Sequence, residues 1–271
     1  MHVSRWVSRV CIAAAMVVAA GLLSGPGRAQ VREFDFYGEF RQWRMALPAD
    51  VRNQVDEVLR RYRDKLTADG VAAAEIERRL TTVRTKRNEL EADFWNRFFT
   101  EPNPGFNTEP NAFLVSIAEK RKPGRALDVG MGEGRNALYL AKLGWDVTGF
   151  DPAEKAVALA EERAKKLGVK LTTKIALDTE FDFGTEQWDV ILYSWVSPFA
   201  SAKKAIAGLK PGGVVVLESG SMLFPRKDVL PELFAPLRVV QNTEIRAASD
   251  FFERREMDII RFLAEKPPSG K

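Results

Sequence analysis

The sequence predicts an α/β protein with a doubly wound, mostly parallel sheet of seven strands, and three observations lead to that prediction. The segment from Ala126 to Asp151 reads as a buried strand, a glycine-rich turn, an amphipathic helix and a second strand. Strand and helix patterns then alternate, as a parallel sheet requires. Finally, the strand-like runs from Arg238 to Ala247 and from Met257 to Glu265 leave no room for a helical crossover between them. They predict a C-terminal antiparallel hairpin.

The first 29 residues have the three-part pattern of a secretory signal peptide. Arg5 and Arg9 precede an apolar run from Val10 to Leu23, and the small-residue site Gly27-Arg28-Ala29 follows. Cleavage after this site makes Gln30 the first mature residue and predicts a periplasmic or secreted protein. An uncleaved anchor is the alternative, but the run has 14 residues, whereas a bilayer span needs roughly 20. We expect no stable membrane span after cleavage.

Removal of the signal peptide changes what the composition implies. The formal net charge of +4 falls almost to zero, because Arg5, Arg9 and Arg28 leave without any acid. A nearly neutral protein has no broad basic field, so nucleic acid is not expected as a partner. The only cysteine, Cys11, and the only histidine, His2, leave as well. We therefore expect neither residue type in a catalytic role, and no metal site.

Residues 30–100 predict a helical extension that precedes the α/β domain of residues 101–271. One helix begins at Pro48 and ends at Asp69-Gly70. A second has apolar residues from Ile76 to Phe94 at three- and four-residue spacings, so the pair predicts an antiparallel helical hairpin. Its many charged residues are expected to form solvated helix faces.

Beyond Asp151 the elements follow in the order that a doubly wound sheet requires. We predict a helix from Pro152 to Leu167 that ends at Gly168, strands from Leu171 to Ala176 and from Trp188 to Tyr193, a helix from Ser201 to Leu209, and a strand from Gly213 to Glu218.

The glycine-rich turn is the candidate ligand site. Gly130, Gly132 and Gly134 let the backbone turn sharply and approach a ligand, because a Cβ at these positions would obstruct either the turn or the ligand. Asp151 ends the second strand, where a carboxylate can accept hydrogen bonds from both ribose hydroxyls, so the ligand is predicted to be adenosine-like. A strand-end cap is the alternative role of Asp151. The GxGxG spacing, with Asp128 ahead of it, differs from the GxGxxG of dinucleotide enzymes.

From about Phe94 to Pro267 the chain resembles class I S-adenosylmethionine-dependent methyltransferases. The resemblance rests on the glycine turn, on WNRFF and FNTEPNAFL ahead of it, and on ALD, WDVILYSW and GGVVVLES after it. The chain looks most similar to small-molecule methyltransferases of the tellurite- and thiol-resistance type. This implies a Rossmann-like fold with a terminal hairpin, S-adenosyl-L-methionine as the cofactor and a small-molecule methyl acceptor.

The resemblance also assigns roles to residues. Asp128, Gly130 and Gly132 match positions that hold the methionine portion of the cofactor, and Asp151 matches the ribose-binding acid. Asp178 matches the acid that contacts the adenine amino group, and a simple turn residue is the alternative. The segment ahead of the first strand often covers the ligand in this family, so the second helix of the extension and the following loop, residues 101–111, are a candidate lid.

Methyl transfer needs little from side chains, because holding the acceptor in line with the methyl group supplies most of the acceleration. If the acceptor must lose a proton, only Tyr193 among Tyr193, Ser194 and Trp195 can titrate. Lining the pocket is the alternative role of Tyr193 and Trp195. Arg135 is expected either in a surface ion pair or at the ligand. The Tyr-Ser-Trp-Val sequence lacks an Asn-Pro-Pro-Tyr type motif, so nucleobases and glutamine are not expected as acceptors.

Two other functions stay open. S-adenosylmethionine is made in the cytoplasm, so an exported protein could keep the fold as a non-catalytic binder or scaffold. A nicotinamide-dependent oxidoreductase is disfavoured by the glycine spacing, the terminal hairpin and the lack of histidine in the mature chain.

Overall fold

The computed structural model describes residues 27–52, 54–101, 106–224, 228–251 and 255–268. The predicted signal peptide therefore lies outside the described residues, apart from its last three, which begin the first helix. Within the described ranges, no helix combines the length and the apolar character that a membrane crossing demands.

Four helices form the N-terminal extension: α1 (Gly27–Met45), α2 (Ala49–Arg52), α3 (Val55–Ala68) and α4 (Ala73–Thr100). The two helices predicted from the sequence are present as α3 and α4, although the first is divided, because α2 ends at Arg52 and α3 begins at Val55. Helix α1 was not predicted beyond the general helical character of the segment. It is held by aromatic packing, with the rings of Phe40 and Tyr62 only 4.8 Å apart.

The α/β domain follows. Its strands are β1 (Arg125–Val129), β2 (Asp146–Asp151), β3 (Thr172–Ile175), β4 (Trp188–Ser194), β5 (Leu209–Gly220), β6 (Arg238–Ala248) and β7 (Glu256–Glu265). Its helices are α5 (Ala112–Ala118), α6 (Arg135–Lys142), α7 (Glu154–Leu167), α8 (Ala202–Gly208) and α9 (Val229–Leu233), with a 3₁₀ turn at Ser221–Leu223.

The strands form one seven-stranded sheet in the order β3-β2-β1-β4-β5-β7-β6. Strands β1 to β5 are parallel, whereas β7 runs antiparallel to both β5 and β6. This arrangement confirms the predicted fold class, including the C-terminal hairpin. The strand order reverses between β1 and β4, and ligands of doubly wound sheets bind at the carboxyl ends of the strands beside such a reversal.

Both faces of the central sheet are buried. Leu127 and Val129 of β1 belong to one apolar cluster and Ala126 to another, because successive strand side chains point to opposite faces. In the sequence, a strand that is covered on both faces appears as a continuous apolar run, as in residues 214–217 of β5.

The extension contacts the α/β domain through the end of α4 and through α2. The Oδ1 atom of Asn96 accepts a hydrogen bond from the Lys155 backbone N at 2.9 Å, which joins α4 to the start of α7. The Nη2 atom of Arg52 donates to the Met222 carbonyl at 2.6 Å, just beyond β5. These contacts place the extension beside the carboxyl ends of β2 and β5, where the candidate site lies.

Candidate functional site

The glycine turn connects β1 to α6 at the reversal of strand order. Gly130, Gly132 and Gly134 all have positive φ, at 63°, 55° and 82°. The backbone N of Gly132 donates a hydrogen bond to Oδ2 of Asp151 at 2.9 Å. Asp128, which precedes the turn on β1, is close enough for the Asp151 charge to affect its pKa. The structure thus brings five of the six predicted cofactor residues together.

The glycines at 132 and 134 are required for different reasons. A Cβ on Gly132 would lie 2.5 Å from Cζ of Phe99, so its absence lets the end of α4 approach the turn. A Cβ on Gly134 would lie 2.9 Å from Cβ of Ala160, so its absence permits close packing of α6 on α7. Both glycines were predicted to permit the sharp turn and the approach of a ligand, and the structure adds packing against protein atoms.

Asp151 is buried, and both of its carboxylate oxygens accept backbone hydrogen bonds. Oδ2 accepts from Gly132 N and Oδ1 accepts from Ala153 N at 2.8 Å. Asp151 therefore does act as a strand-end cap. It can still accept hydrogen bonds from a ligand, because a carboxylate has about four lone-pair sites. Burial raises the pKa of Asp151 to about 6.

Asp128 is 1% exposed, and its Oδ2 atom has no hydrogen-bond partner within the described protein. Burial raises the pKa of this carboxyl to about 7, against the effects of the Arg135 charge and of a hydrogen bond from the Ala137 backbone. Buried polar atoms in proteins are nearly always paired. An unpaired carboxylate oxygen beside a glycine turn therefore suits a ligand that supplies a hydrogen-bond donor or a positive charge.

Asp178 is half-buried in the turn that follows β3. The backbone N of Ala176 donates to the Asp151 carbonyl at 3.2 Å, so the chain leaves β3 beside the end of β2. Asp178 therefore lies on the same edge of the sheet as the glycine turn, two residues beyond that contact.

Tyr193 does not suit the role of a catalytic base. Its side chain is buried in the apolar cluster that includes Phe234, and its hydroxyl lies 3.0 Å from Oγ of Ser201. Burial raises its pKa above the ordinary value, with the nearby Asp178 charge contributing in the same direction. A base was optional in the sequence analysis, and Tyr193, the one residue of this segment that could titrate, is thus poorly placed to remove a proton from an acceptor.

A buried polar network lies at the carboxyl ends of β4 and β5. Nη1 of Arg135 donates to the carbonyls of Glu109 and Asp250, at 2.8 and 3.0 Å, and lies 3.5 Å from Oδ2 of Asp250. Nη2 donates to Oγ of Ser194 at 3.3 Å. Arg135 is thus buried inside the domain, which decides against the surface ion pair.

Glu218 and Asn111 continue this network. Glu218 is 2% exposed and accepts hydrogen bonds at 2.6 Å from Asn111 Nδ2 and from Arg261 Nε. Nδ2 of Asn111 also donates to Oδ2 of Asp250 at 2.7 Å. Burial raises the pKa of Glu218, with the Asp250 charge acting in the same direction and Arg261 opposing it. Sequence reasoning missed these residues, although an acid at the end of the apolar run VVVLES was a usable signal.

Above the network, five rings form what we call the aromatic cover: Phe98, Phe99, Phe106, Trp195 and Phe251. Neighbouring ring centroids are 5.2 to 5.9 Å apart. Nε1 of Trp195 donates to Oδ1 of Asp250 at 2.9 Å, and Trp195 has a positive φ of 62°, which is uncommon for a bulky residue. The cover therefore connects the polar network to the glycine turn through Phe99. Of the predicted lid loop, residues 102–105 lie outside the described residues.

Comparison with known proteins agrees with this geometry. Residues 126–213 match the family model described as a methyltransferase domain. The chain is 32% identical over 97 residues to the probable S-adenosyl-L-methionine-dependent methyltransferase TehB of Haemophilus influenzae, a match that covers 36% of this chain and 34% of that protein. It is 40% identical over 93 residues to the ubiquinone biosynthesis O-methyltransferase of Paramagnetospirillum magneticum, covering 32% of this chain and 37% of that one.

The chain therefore spans about a third of the length of the curated relatives it matches. Among solved structures, it is similar to the protein studied for conversion of a disulfide bond into a thioacetal group during echinomycin biosynthesis. The TM-score is 0.57 at 19% identity, with 68% of this chain and 94% of that chain covered, which supports the fold alone. The matched family model, the sheet order and the glycine turn agree, so this part of the chain is similar to a methyltransferase domain in sequence and in fold.

Proposed function

We propose that this protein transfers a methyl group from S-adenosylmethionine to a small-molecule acceptor. The observation that carries the proposal is the unpartnered, buried Oδ2 atom of Asp128 beside a glycine turn that is tied to Asp151. Asp128, Gly130 and Gly132 would hold the methionine portion, Asp151 the ribose and Asp178 the adenine. When bound, the cofactor would supply a methyl group attached to a sulfonium sulfur, and this sulfur is a good leaving group.

The chain's own contribution is to bind, to orient and to exclude water. Holding an acceptor in line with the methyl group can supply up to about 7 to 11 kcal/mol of the barrier in ideal cases. The aromatic cover would exclude water from a bound ligand; its Trp195 and Phe251 rings are stacked with their centroids 5.9 Å apart. We propose that an acceptor with an apolar face binds against these two rings. The name of one relative, a ubiquinone biosynthesis O-methyltransferase, supports a small-molecule acceptor.

Calorimetric titration tests the proposal. S-adenosylhomocysteine, the demethylated product, is expected to bind with one site per chain, and NAD is expected not to bind. Binding of NAD alone would instead indicate an oxidoreductase. If neither ligand binds at concentrations well above ordinary cofactor affinities, the methyltransferase proposal is contradicted and the alternative of a non-catalytic protein that retains the fold is favoured. If the product binds, a screen of candidate acceptors with radiolabelled cofactor tests turnover.

We also propose that the protein is exported and that its mature chain begins at Gln30. The proposal is supported by the two N-terminal arginines, the short apolar run and the small-residue cleavage site. Intact-mass measurement of protein recovered from the exporting host is expected to show loss of residues 1–29. Retention of Met1, with the protein recovered from the cytoplasm, would contradict export. The protein would then lie in the compartment where S-adenosylmethionine is made.

Cofactor affinity is expected to increase with pH. Burial holds the pKa of Asp128 near 7 and that of Asp151 near 6, and both must ionise to pair fully with hydrogen-bond donors or a positive charge. Titration of S-adenosylhomocysteine from about pH 5 to about pH 8, a range that extends roughly one unit below the lower and one unit above the higher pKa, should therefore show a falling Kd. Asp128→Asn should remove most of this pH dependence. The exposed control Asp56→Asn should retain it.

The stability of the ligand-free protein should change with pH in the opposite direction. Both carboxyls have a folded-state pKa above the unfolded value of about 3.9, so folding favours their protonated forms. That stabilisation is complete below the unfolded pKa and is lost as the pH rises through 6 to 7. The melting temperature should fall over this range in the parent and should fall less in Asp128→Asn. An equal fall in both proteins would contradict the assignment.

A further inference from the structure

The chain leaves β4 in a backbone conformation that is unusual for the residue that adopts it. Trp195 follows the last residue of β4 and has a φ of 62°. A positive φ is uncommon for residues other than glycine, and for a bulky side chain it is a genuine outlier. Such a conformation is costly and persists only where the surrounding contacts enforce it. The contacts of Trp195 therefore decide the direction in which the chain continues.

The backbone and the side chain of Trp195 are held from two different directions. Its backbone N donates to the Glu218 carbonyl at 2.9 Å, which extends the pairing of β4 with β5 by one residue. Its indole Nε1 donates to Oδ1 of Asp250 at 2.9 Å, and its ring is stacked on Phe251. The sheet thus fixes the backbone N, and the connection between β6 and β7 fixes the ring.

Asp250 is itself firmly held, so it can act as the anchor of this pair. Its Oδ2 atom accepts a hydrogen bond from Nδ2 of Asn111 at 2.7 Å and lies 3.5 Å from Nη1 of Arg135. Asn111 is completely buried at the start of α5, and the Arg135 side chain is 5% exposed at the start of α6. Because these partners belong to the packed domain, the Asp250 carboxylate cannot simply follow a movement of the Trp195 ring.

The residue after Trp195 covers the glycine turn. A Cβ on Gly130 would lie 2.6 Å from Cγ2 of Val196, so this methyl group occupies the space that a side chain at position 130 would need. The angle φ of Trp195 describes rotation about a bond that lies between its fixed backbone N and Val196. A return to negative φ would therefore swing Val196 away from Gly130 while β4 kept its place.

We propose that Asp250 is a positioning residue for the cofactor site. Through its hydrogen bond to Trp195, it keeps Val196 packed on Gly130 and so holds the glycine turn in the shape that binds the cofactor. This inference rests on the proposed function, in which Gly130 helps to hold the methionine portion. It also connects two parts of the site, because the ring offered to the acceptor and the side chain that supports the cofactor turn are consecutive residues.

Trp195→Phe tests the hydrogen bond, because it removes the indole N–H and keeps a ring that can stack on Phe251. We expect it to weaken calorimetric binding of S-adenosylhomocysteine about fivefold or more, a typical loss for one hydrogen bond to a charged group. In the ligand-free protein, it should accelerate hydrogen exchange of the Gly132 amide, which reports local opening of the turn.

Trp188→Phe is the matched control. Trp188 lies at the other end of β4, and its Nε1 donates to the Phe183 carbonyl at 2.7 Å. This variant also loses an indole hydrogen bond, and it does so in the core. It should lower the melting temperature and leave both the affinity for S-adenosylhomocysteine and the exchange of the Gly132 amide unchanged.

A second pair of variants separates the backbone conformation from the ring. Trp195→Gly and Trp195→Ala both lose the ring and its hydrogen bond, but glycine adopts a φ of 62° readily and alanine does not. Glycine can therefore keep Val196 on the turn. We expect Trp195→Gly to bind S-adenosylhomocysteine about fivefold or more tightly than Trp195→Ala, the ratio that the cost of a left-handed residue implies.

A double variant tests whether Asp250 acts through Trp195. In the Trp195→Phe background, Asp250→Ala should cause little further loss of affinity, since residues that share one interaction are not additive. If the parent binds S-adenosylhomocysteine and Trp195→Phe binds it equally well, with unchanged exchange of the Gly132 amide, the inference is wrong and the proposed function stands. If the parent binds none, the proposed function fails, and exchange of the Gly132 amide still decides whether Asp250 positions the turn.

Discussion

Gly132→Ala is expected to weaken the binding of S-adenosylhomocysteine severely. The residue has a φ of +55°, which an L side chain adopts only at a cost, and its new Cβ would lie 2.5 Å from Cζ of Phe99. Strain and overpacking of this kind each cost about 1 to 3 kcal/mol. The turn would have to move, and with it the backbone N that binds Asp151. We expect affinity to fall by about 100-fold or more, equivalent to about 2.8 kcal/mol, in calorimetric titration.

Gly144→Ala is the matched control, because Gly144 has a φ of +87° but nothing lies within 4 Å of a Cβ there. It should lose some stability and retain cofactor affinity. Phe99→Ala in the Gly132→Ala background removes the clashing ring, so it should recover stability without full recovery of binding. If Gly132→Ala alone binds the product as tightly as the parent, the glycine turn does not hold the cofactor.

Arg135→Met is expected to lower the free energy of unfolding by about 3 to 5 kcal/mol, the usual cost of removing one partner of a buried ion pair. The Arg135 side chain is 5% exposed and donates to two carbonyls and a hydroxyl beside Asp250. Methionine fills much of the volume but leaves those acceptors unpaired. Urea denaturation followed by circular dichroism measures the change.

Arg246→Met serves as the control, because Arg246 is 62% exposed and pairs with Asp258 at the surface. Its loss should cost less than about 1 kcal/mol. Arg135→Lys keeps the charge but lacks the planar fork, so its stability should fall between those of the parent and Arg135→Met. A change below about 1 kcal/mol in Arg135→Met would show that solvent replaces the Arg135 contacts, contrary to its burial.

Local sequence signals predicted the sheet well because each depends on neighbouring residues. The strand and turn from Ala126 to Gly134 and the terminal hairpin are all where the patterns placed them. Gly168 ends α7 in the left-handed conformation, as a helix-stop glycine should. Helix α1 was missed because its aromatic residues become informative only when α3 and α4 pack against them.

The candidate site was only partly predictable. Asp128 and Asp151 stand in a local motif, and parallel pairing of β1 with β2 brings them together. Asp250 lies in the connection between β6 and β7, and its hydrogen bond to Asn111 spans 139 positions. No local sequence pattern predicts a contact between residues that are so far apart in the chain.

The fold class, the glycine turn and an adenosine-like ligand could be predicted from the sequence, because glycine conformation, strand alternation and the strand-end acid are properties of short segments, while the cofactor class came from the family resemblance. Which side chains face the site depends on the packing of the whole domain. Tyr193 and Ser194 are adjacent on β4, yet Tyr193 enters the core and Ser194 meets Arg135. With both sheet faces buried, apolar patterning cannot distinguish the two directions. Likewise, only the packing of α4 shows that Phe99, 33 positions before Gly132 in the printed sequence, covers the turn.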